Sequence, residues 1–244
     1  MRTIQYSLLI TLLMAAVIAN ADEYKKNQFN ISVPPEWAEI PRDIIGAYEK
    51  AVAEAAPDFP IQHYDYGFQL ESSENWFEYP YVLIQIKNAG RIAEKDLEKM
   101  EQLPVQKELD ERQRQMGSMV LGLRAGKMVF DRENRIVWMG IDMNVVDKGP
   151  VSGLSAMIPT EKGFIQVSGY SLQVDYPEYE SIFRSIALSV SPMPELAYKP
   201  HWTDNLPSAV SGINWEKVFG KGIIGAIIGG ALGLFSYLIR KKKN

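Results

Sequence analysis

The chain has no cysteine and only two histidines, His63 and His201. The missing cysteine removes disulfides, cysteine-ligated zinc, iron–sulfur clusters and thiol nucleophiles together. Secreted animal domains of this size usually carry disulfides, so the absence points towards a bacterial envelope protein. The histidines lie in different segments, and neither is placed for a catalytic triad. His63 and Asp65 could set two metal ligands on one strand face. A site needs a third and a fourth ligand and none is indicated, so a surface strand histidine is the plainer reading. Gly153-Leu154-Ser155-Ala156-Met157 fails the G-x-S-x-G nucleophile elbow at its last position. There is no P-loop and no G-x-G-x-x-G. Carboxylate pairs are plentiful among 30 acidic residues, but spacing alone does not identify a glycosidase-type dyad. No catalytic motif emerges, and no cofactor or metal is expected.

Acidic residues are absent outside Asp22–Lys217, a stretch with 30 acidic and 20 basic residues, a balance of −10. An acidic domain argues against nucleic acid as a partner, because phosphate binding needs a basic face. It argues equally against that domain lying flat on anionic lipid. With 46% hydrophobic and 11% aromatic residues, a packed core is expected rather than disorder.

Charge is also absent from Gly222 to Ile239, 18 residues that would cover roughly 27 Å as a helix, close to a bilayer core of about 30 Å. Trp215 and Lys217 precede this stretch and Arg240, Lys241, Lys242 and Lys243 follow it. An interfacial aromatic and a cytoplasmic cluster of cations are what lipid and membrane potential select. Residues 218–239 are therefore expected to span a membrane once, with residues 240–244 as a basic cytoplasmic tail. Gly225, Gly229 and Gly233 fall on one helix face, and Gly222, Ala226 and Gly230 form a parallel row. Such rows let another helix approach closely, although glycine is also simply common in membrane helices. The expected partners are the membrane and a protein, or a second copy, met through this face.

The N-terminus reads as a signal peptide over residues 1–21. Arg2 starts it, Tyr6–Ile18 is apolar, and Ala19-Asn20-Ala21 precedes a cleavage point between Ala21 and Asp22. The resulting topology is a domain outside the cytoplasm, residues 22–194, then a proline-rich linker, residues 195–217, and the span. The expected location is a bacterial inner membrane.

Within the domain, Phe29, Ile31 and Val33 alternate on a strand ended by Pro34-Pro35. Asp43 is expected to cap a helix with Ile44, Tyr48, Ala51, Val52 and Ala55 on its apolar stripe. Tyr64, Tyr66, Phe68 and Leu70 alternate on a second strand, Glu71–Glu78 reads as a loop, and Tyr81–Lys87 as a central strand. Glu94–Gln115, interrupted by Pro104, suggests two short helices or one kinked one. Lys127–Asp131, Arg135–Val146, Val151–Thr160 and Gly163–Leu172 follow as an antiparallel meander. Asp175 and Pro177 start a last helix carrying Tyr179, Ile182, Phe183, Ile186 and Val190. The fold class this gives is α+β, one antiparallel sheet sandwiched by helices.

Two segments carry a family resemblance. Phe-Asn-Ile-Ser-Val-Pro-Pro-Glu-Trp, Phe29–Trp37, resembles the opening strand and Pro-x-x-Trp turn of PsbP-like domains, the superfamily of the photosystem II extrinsic subunit. Tyr179–Val190 resembles their closing helix. The resemblance covers about residues 28–192. It implies an α/β/α sandwich and an auxiliary or assembly role without catalysis. It assigns no functional residue, since Phe29, Trp37, Ile182 and Phe183 would all be core. The C-terminal span is a departure from the soluble members.

One further stretch is distinctive. Trp76, Phe77, Tyr79 and Tyr81 cluster at a loop–strand boundary and could form a recognition surface, since aromatics anchor interfaces. The plainer reading is that they cover the sheet edge, because buried aromatics dominate cores. The reading is thus a non-catalytic binding or assembly module. A tethered carboxylate hydrolase and a ligand-sensing domain are the alternatives.

Overall fold

The computed structural model describes residues 21–205 and 224–230. The strands are β1 (Asp22–Lys25), β2 (Phe29–Val33), β3 (Trp37–Glu39), β4 (Tyr66–Leu70), β5 (Tyr81–Lys87), β6 (Val120–Ala125), β7 (Val129–Asp131), β8 (Ile136–Val145), β9 (Gly149–Thr160), β10 (Gly163–Leu172) and β11 (Ser191–Pro192). The helices are α1 (Arg42–Ala55), α2 (Glu94–Lys99), α3 (Val105–Gln115), α4 (Tyr176–Leu188) and α5 (Gly225–Gly230). A main antiparallel sheet runs in the order β3-β4-β5-β10-β9-β8-β6, with β7 also paired to β8. A second sheet, β1-β2-β11, is absent from the sequence expectation of a single sheet. Its outer strands are short and polar, so they carry no periodic signal. Asp22 opens β1, and a chain beginning there would retain the whole strand.

The main sheet is buried on both faces, and strand alternation sorts the side chains. Val82 and Ile84 of β5, Ile165 and Val167 of β10, and Leu154, Ala156 and Ile158 of β9 join one core with Phe29, Trp37, Phe183 and Ile186. That face is covered by the small sheet and α4. Tyr81 and Leu83, Phe164 and Tyr170, and Val137, Met139, Ile141, Met143 and Val145 point to the other face. There they meet Ile45, Tyr48 and Val52 of α1, Leu97 of α2 and Leu109 of α3. Burying both faces gives each strand two rows of apolar contact, the main stabilising term for such a sheet.

Several local details differ from expectation. Pro41, not Asp43, occupies the start of α1, and Asp43 sits in its first turn, where a carboxylate complements the helix dipole. Tyr64 lies before β4 and faces α1, whereas Phe68 faces the opposite core. Strand β6 has no counterpart in the sequence reading. Its register against β8 shifts between Leu121 and Arg124, and Gly122 there has φ +65°, so a bulge erases the two-residue alternation. Residues 195–205, expected as part of an extended linker, lie against the domain. Ala197 bridges Thr160, and the Glu161 amide donates to the Leu196 carbonyl at 3.0 Å.

Two glycines give opposite expectations. A Cβ on Gly169 would sit 2.3 Å from the Phe183 ring, inside a closed core. Gly169→Ala should destabilise by about 1–3 kcal/mol. A Cβ on Gly46, in α1, would meet nothing within 4 Å, so Gly46→Ala should stabilise by about 0.5–1 kcal/mol. Thermal unfolding of the two variants reads both signs.

Candidate functional site

The face carrying α1 leaves a furrow between that helix and the sheet. Four tyrosines line it: Tyr48 from α1, Tyr64 from the loop after it, Tyr81 from β5 and Tyr170 from β10. All four are buried. Phe59 and Gln62 add a wall from the same loop. Phe77 forms the floor, its ring stacked on Tyr48 at 4.1 Å and edge-on to Tyr81 at 5.6 Å. Phe77 takes φ +60°, and its amide donates to Gln69 Oε1 at 2.6 Å. That hydrogen bond and the aromatic stack hold a bulky residue in a conformation it rarely adopts.

The furrow is filled by Ile224 and α5. The Tyr48 hydroxyl donates to the Gly229 and Gly230 carbonyls at 2.6 and 3.1 Å. Tyr81 donates to the Gly230 carbonyl at 2.7 Å and Tyr170 to the Ile227 carbonyl at 2.9 Å. Burial raises the pKa values of Tyr64, Tyr81 and Tyr170, and their tyrosine neighbours add to the effect. These hydroxyls therefore stay protonated, and Tyr81 and Tyr170 keep the proton they donate. Ile224, Ile227 and Ile228 are 4%, 1% and 0% exposed, so the segment belongs to the domain core.

The glycines permit this closeness. A Cβ at Gly225 would stand 2.9 Å from Gln62 Nε2, and one at Gly230 2.6 Å from the Tyr170 hydroxyl. At Gly229 it would stand 3.1 Å from the Tyr64 hydroxyl and 3.2 Å from Phe59. Gly225, Gly229 and Gly230, members of the small-residue rows, thus pack against side chains of their own domain here. Gly233 and the basic residues Arg240, Lys241, Lys242 and Lys243 lie outside the described residues, as does the signal segment before Ala21. Among the described residues no helix is long and apolar enough to cross a membrane.

The aromatic cluster divides. Phe77 and Tyr81 are fully buried, and Trp76 and Tyr79 pack partly buried against the same core. Phe77 and Tyr81 line the furrow and Tyr79 stacks on Tyr81 at 5.2 Å, while the inverted backbone at Phe77 turns its own ring inward. Sequence reasoning missed Tyr48, Tyr64 and Tyr170 as site residues. Each is visible in the sequence only as one member of an apolar stripe.

The other candidates are engaged elsewhere. His63 Nδ1 lies 3.0 Å from Glu49 Oε2, and Asp65 accepts the Ile86 amide at 2.7 Å. Ser155 Oγ is 3.0 Å from Ser168 Oγ and 3.2 Å from Gln166 Nε2, in a buried polar row. Among the described residues, the carboxylates with displaced pKa values move downward. Asn134 holds Asp131 low. Arg91 does the same for Asp204. At Glu161, burial pushes up but is outweighed by the Lys199 amide, Arg91 and His201. A general acid needs the opposite shift. A small cleft of about 10 Å³, little more than room for a water, lies beside Gly229 between α1 and the Phe59–Tyr64 loop. It falls short of the roughly 300–1,000 Å³ typical of small-molecule sites.

A second contact system holds residues 195–205. Arg91 donates to Asp204 through two nitrogens at 2.5 and 2.7 Å and to the Lys199 carbonyl at 2.6 Å, and its guanidinium lies 4.5 Å from the Tyr198 ring centre. The bidentate geometry is the strong form of such a pair.

No family model matches the chain, and no curated protein matches it in sequence. Solved structures do. The solution structure of cyanobacterial PsbP (CyanoP) from Synechocystis sp. PCC 6803 aligns over 72% of this chain and 94% of its own, with 13% identity and a TM-score of 0.46. The chain is similar in fold to PsbP. LpqN of Mycobacterium tuberculosis, a protein involved in cell envelope biogenesis, aligns over 73% of this chain and 95% of its own, with 13% identity and a TM-score of 0.35.

Two substitutions probe these contacts. Tyr170→Phe keeps the ring and removes one donor, and should cost about 0.5–1.5 kcal/mol in denaturant unfolding. The Asp204 pKa is depressed in the folded chain, so its stabilisation is present above the ordinary carboxylate value of about 3.9 and is lost as pH falls through the folded value. Proteolysis within residues 195–205 should accelerate in that acidic window, and Asp204→Asn should produce the same acceleration at neutral pH.

Proposed function

We propose that this chain is a membrane-anchored, extracytoplasmic binding or assembly module that works without catalysis. The furrow carries this reading: three tyrosine hydroxyls and a set of close-approach glycines hold an apolar helical segment by shape and main-chain hydrogen bonds. Such a surface recognises its occupant by shape and hydrogen bonding. The acidic domain fits a protein partner better than nucleic acid. The uncharged stretch Gly222–Ile239 and its four following cations support a single span in a bacterial inner membrane, with the domain outside. In the bilayer, the face bearing Gly225, Gly229 and Gly233 would meet another helix, from a partner protein or a second copy. A non-catalytic extrinsic or envelope-associated role is in keeping with the PsbP-like fold.

Topology mapping on spheroplasts tests the reading. The full chain should resist carbonate extraction, external protease should digest the domain, and a C-terminal tag should be protected. Complete extraction by carbonate, or an externally accessible tag, would contradict it. Crosslinking in the same membranes should capture a partner or a second copy, and Gly225→Leu with Gly229→Leu should reduce that capture at least threefold.

A further inference from the structure

The residues seated in the furrow also belong to the first half of the uncharged stretch. Ile224–Gly230 lies inside Gly222–Ile239. One copy of the segment cannot be enclosed by the domain and by lipid at the same time. We propose that the furrow is a docking site for the chain's own Ile224–Gly230 segment, and that docking competes with insertion of that segment into the membrane. This inference rests on the membrane reading of the segment given above.

The fit is specific to this occupant. Apolar area alone would bind any hydrophobic helix. Here the hydroxyls of Tyr48, Tyr81 and Tyr170 aim at carbonyls of the segment, and glycines stand where side chains would collide with Gln62, Tyr64 and Tyr170. Small residues at these positions suit both environments, since close approach serves an aromatic wall and a membrane helix alike. Docking hides three isoleucines from water while the chain is off the membrane. Insertion withdraws them and uncovers a furrow lined by tyrosine hydroxyls on the outer side. The domain thereby acts as the shelter of its own anchor.

The absence of cysteine makes the test direct, because an introduced pair has no native competitor. A Cβ on Gly229 falls 3.2 Å from Gln62 Cγ, the place a sulfur introduced at position 62 would take, so the two sulfurs of such a pair come within bonding reach. The full chain carrying Gln62→Cys and Gly229→Cys should form an intramolecular disulfide under mild oxidant in the absence of membranes. Oxidised chain offered to vesicles of phosphatidylethanolamine and phosphatidylglycerol should show at least fivefold less carbonate-resistant insertion than the same chain reduced. Adding Gly230→Leu, which collides with Tyr170, should lower the disulfide yield and raise insertion, with near-UV circular dichroism reporting the fold. Equal insertion of the locked and reduced chains overturns the competition. Failure of the pair to oxidise in a folded chain overturns docking. A wild-type chain that never enters vesicles while the pair still crosslinks overturns the membrane reading, and the competition with it, and makes the docked segment a permanent part of the fold.

Discussion

The structure turns on three tyrosine hydroxyls donating to the main chain of one apolar segment. Tyr48, Tyr81 and Tyr170 come from a helix and two strands far apart in sequence, and all reach carbonyls between Ile227 and Gly230. A hydroxyl buried without a partner is costly. Each of these tyrosines is apolar enough to be drawn into the core and polar enough to require an acceptor there. The glycine-rich segment supplies acceptors at the closest possible range because it has no side chains in the way. Removing it would leave the hydroxyls and the surrounding aromatics to water.

That constraint follows from the sheet. A sheet buried on both faces needs two covers. One face is closed by α4 and the small β1-β2-β11 sheet, with Phe183 fitted against Gly169. The other is closed by α1, α2 and α3, and the gap between α1 and β10 is filled by the segment at 224–230. The side chains of Ser155, Gln166 and Ser168 hydrogen-bond to one another across β9 and β10. The Arg91–Asp204 pair ties residues 195–205 to the domain edge, so the chain is held as far as Asn205.

Much of the fold was legible in the sequence where one periodicity dominated. The alternation Val137, Met139, Ile141, Met143, Val145 marked the inner face of β8, and Tyr81–Lys87 read as a central strand because both its faces are apolar. Glu94–Gln115 divided at Pro104 as its composition suggested. Strand β6 was not legible, because Gly122 and the adjacent bulge break the pattern, and the small sheet was missed because two of its strands are short and polar. The site was least legible. Tyrosines at helical or strand spacing read as ordinary core, and only the fold shows that four of them converge. The glycine rows were visible, but sequence spacing cannot say whether a close-packing face meets another span or the chain's own domain. Phe77 stood out with its aromatic neighbours, but its inward turn carried no local signal, because its inverted φ is held by Gln69 from a neighbouring strand.

Hydrogen exchange measured by mass spectrometry on the full chain, before and after addition of phospholipid vesicles, addresses the central claim most directly. The account predicts slow exchange across Ile224–Gly230 and the Phe59–Tyr64 loop without vesicles, and faster exchange in that loop once the segment has moved into lipid. Rapid exchange across Ile224–Gly230 in the absence of membranes, with the Phe59–Tyr64 loop unchanged by vesicles, would contradict it.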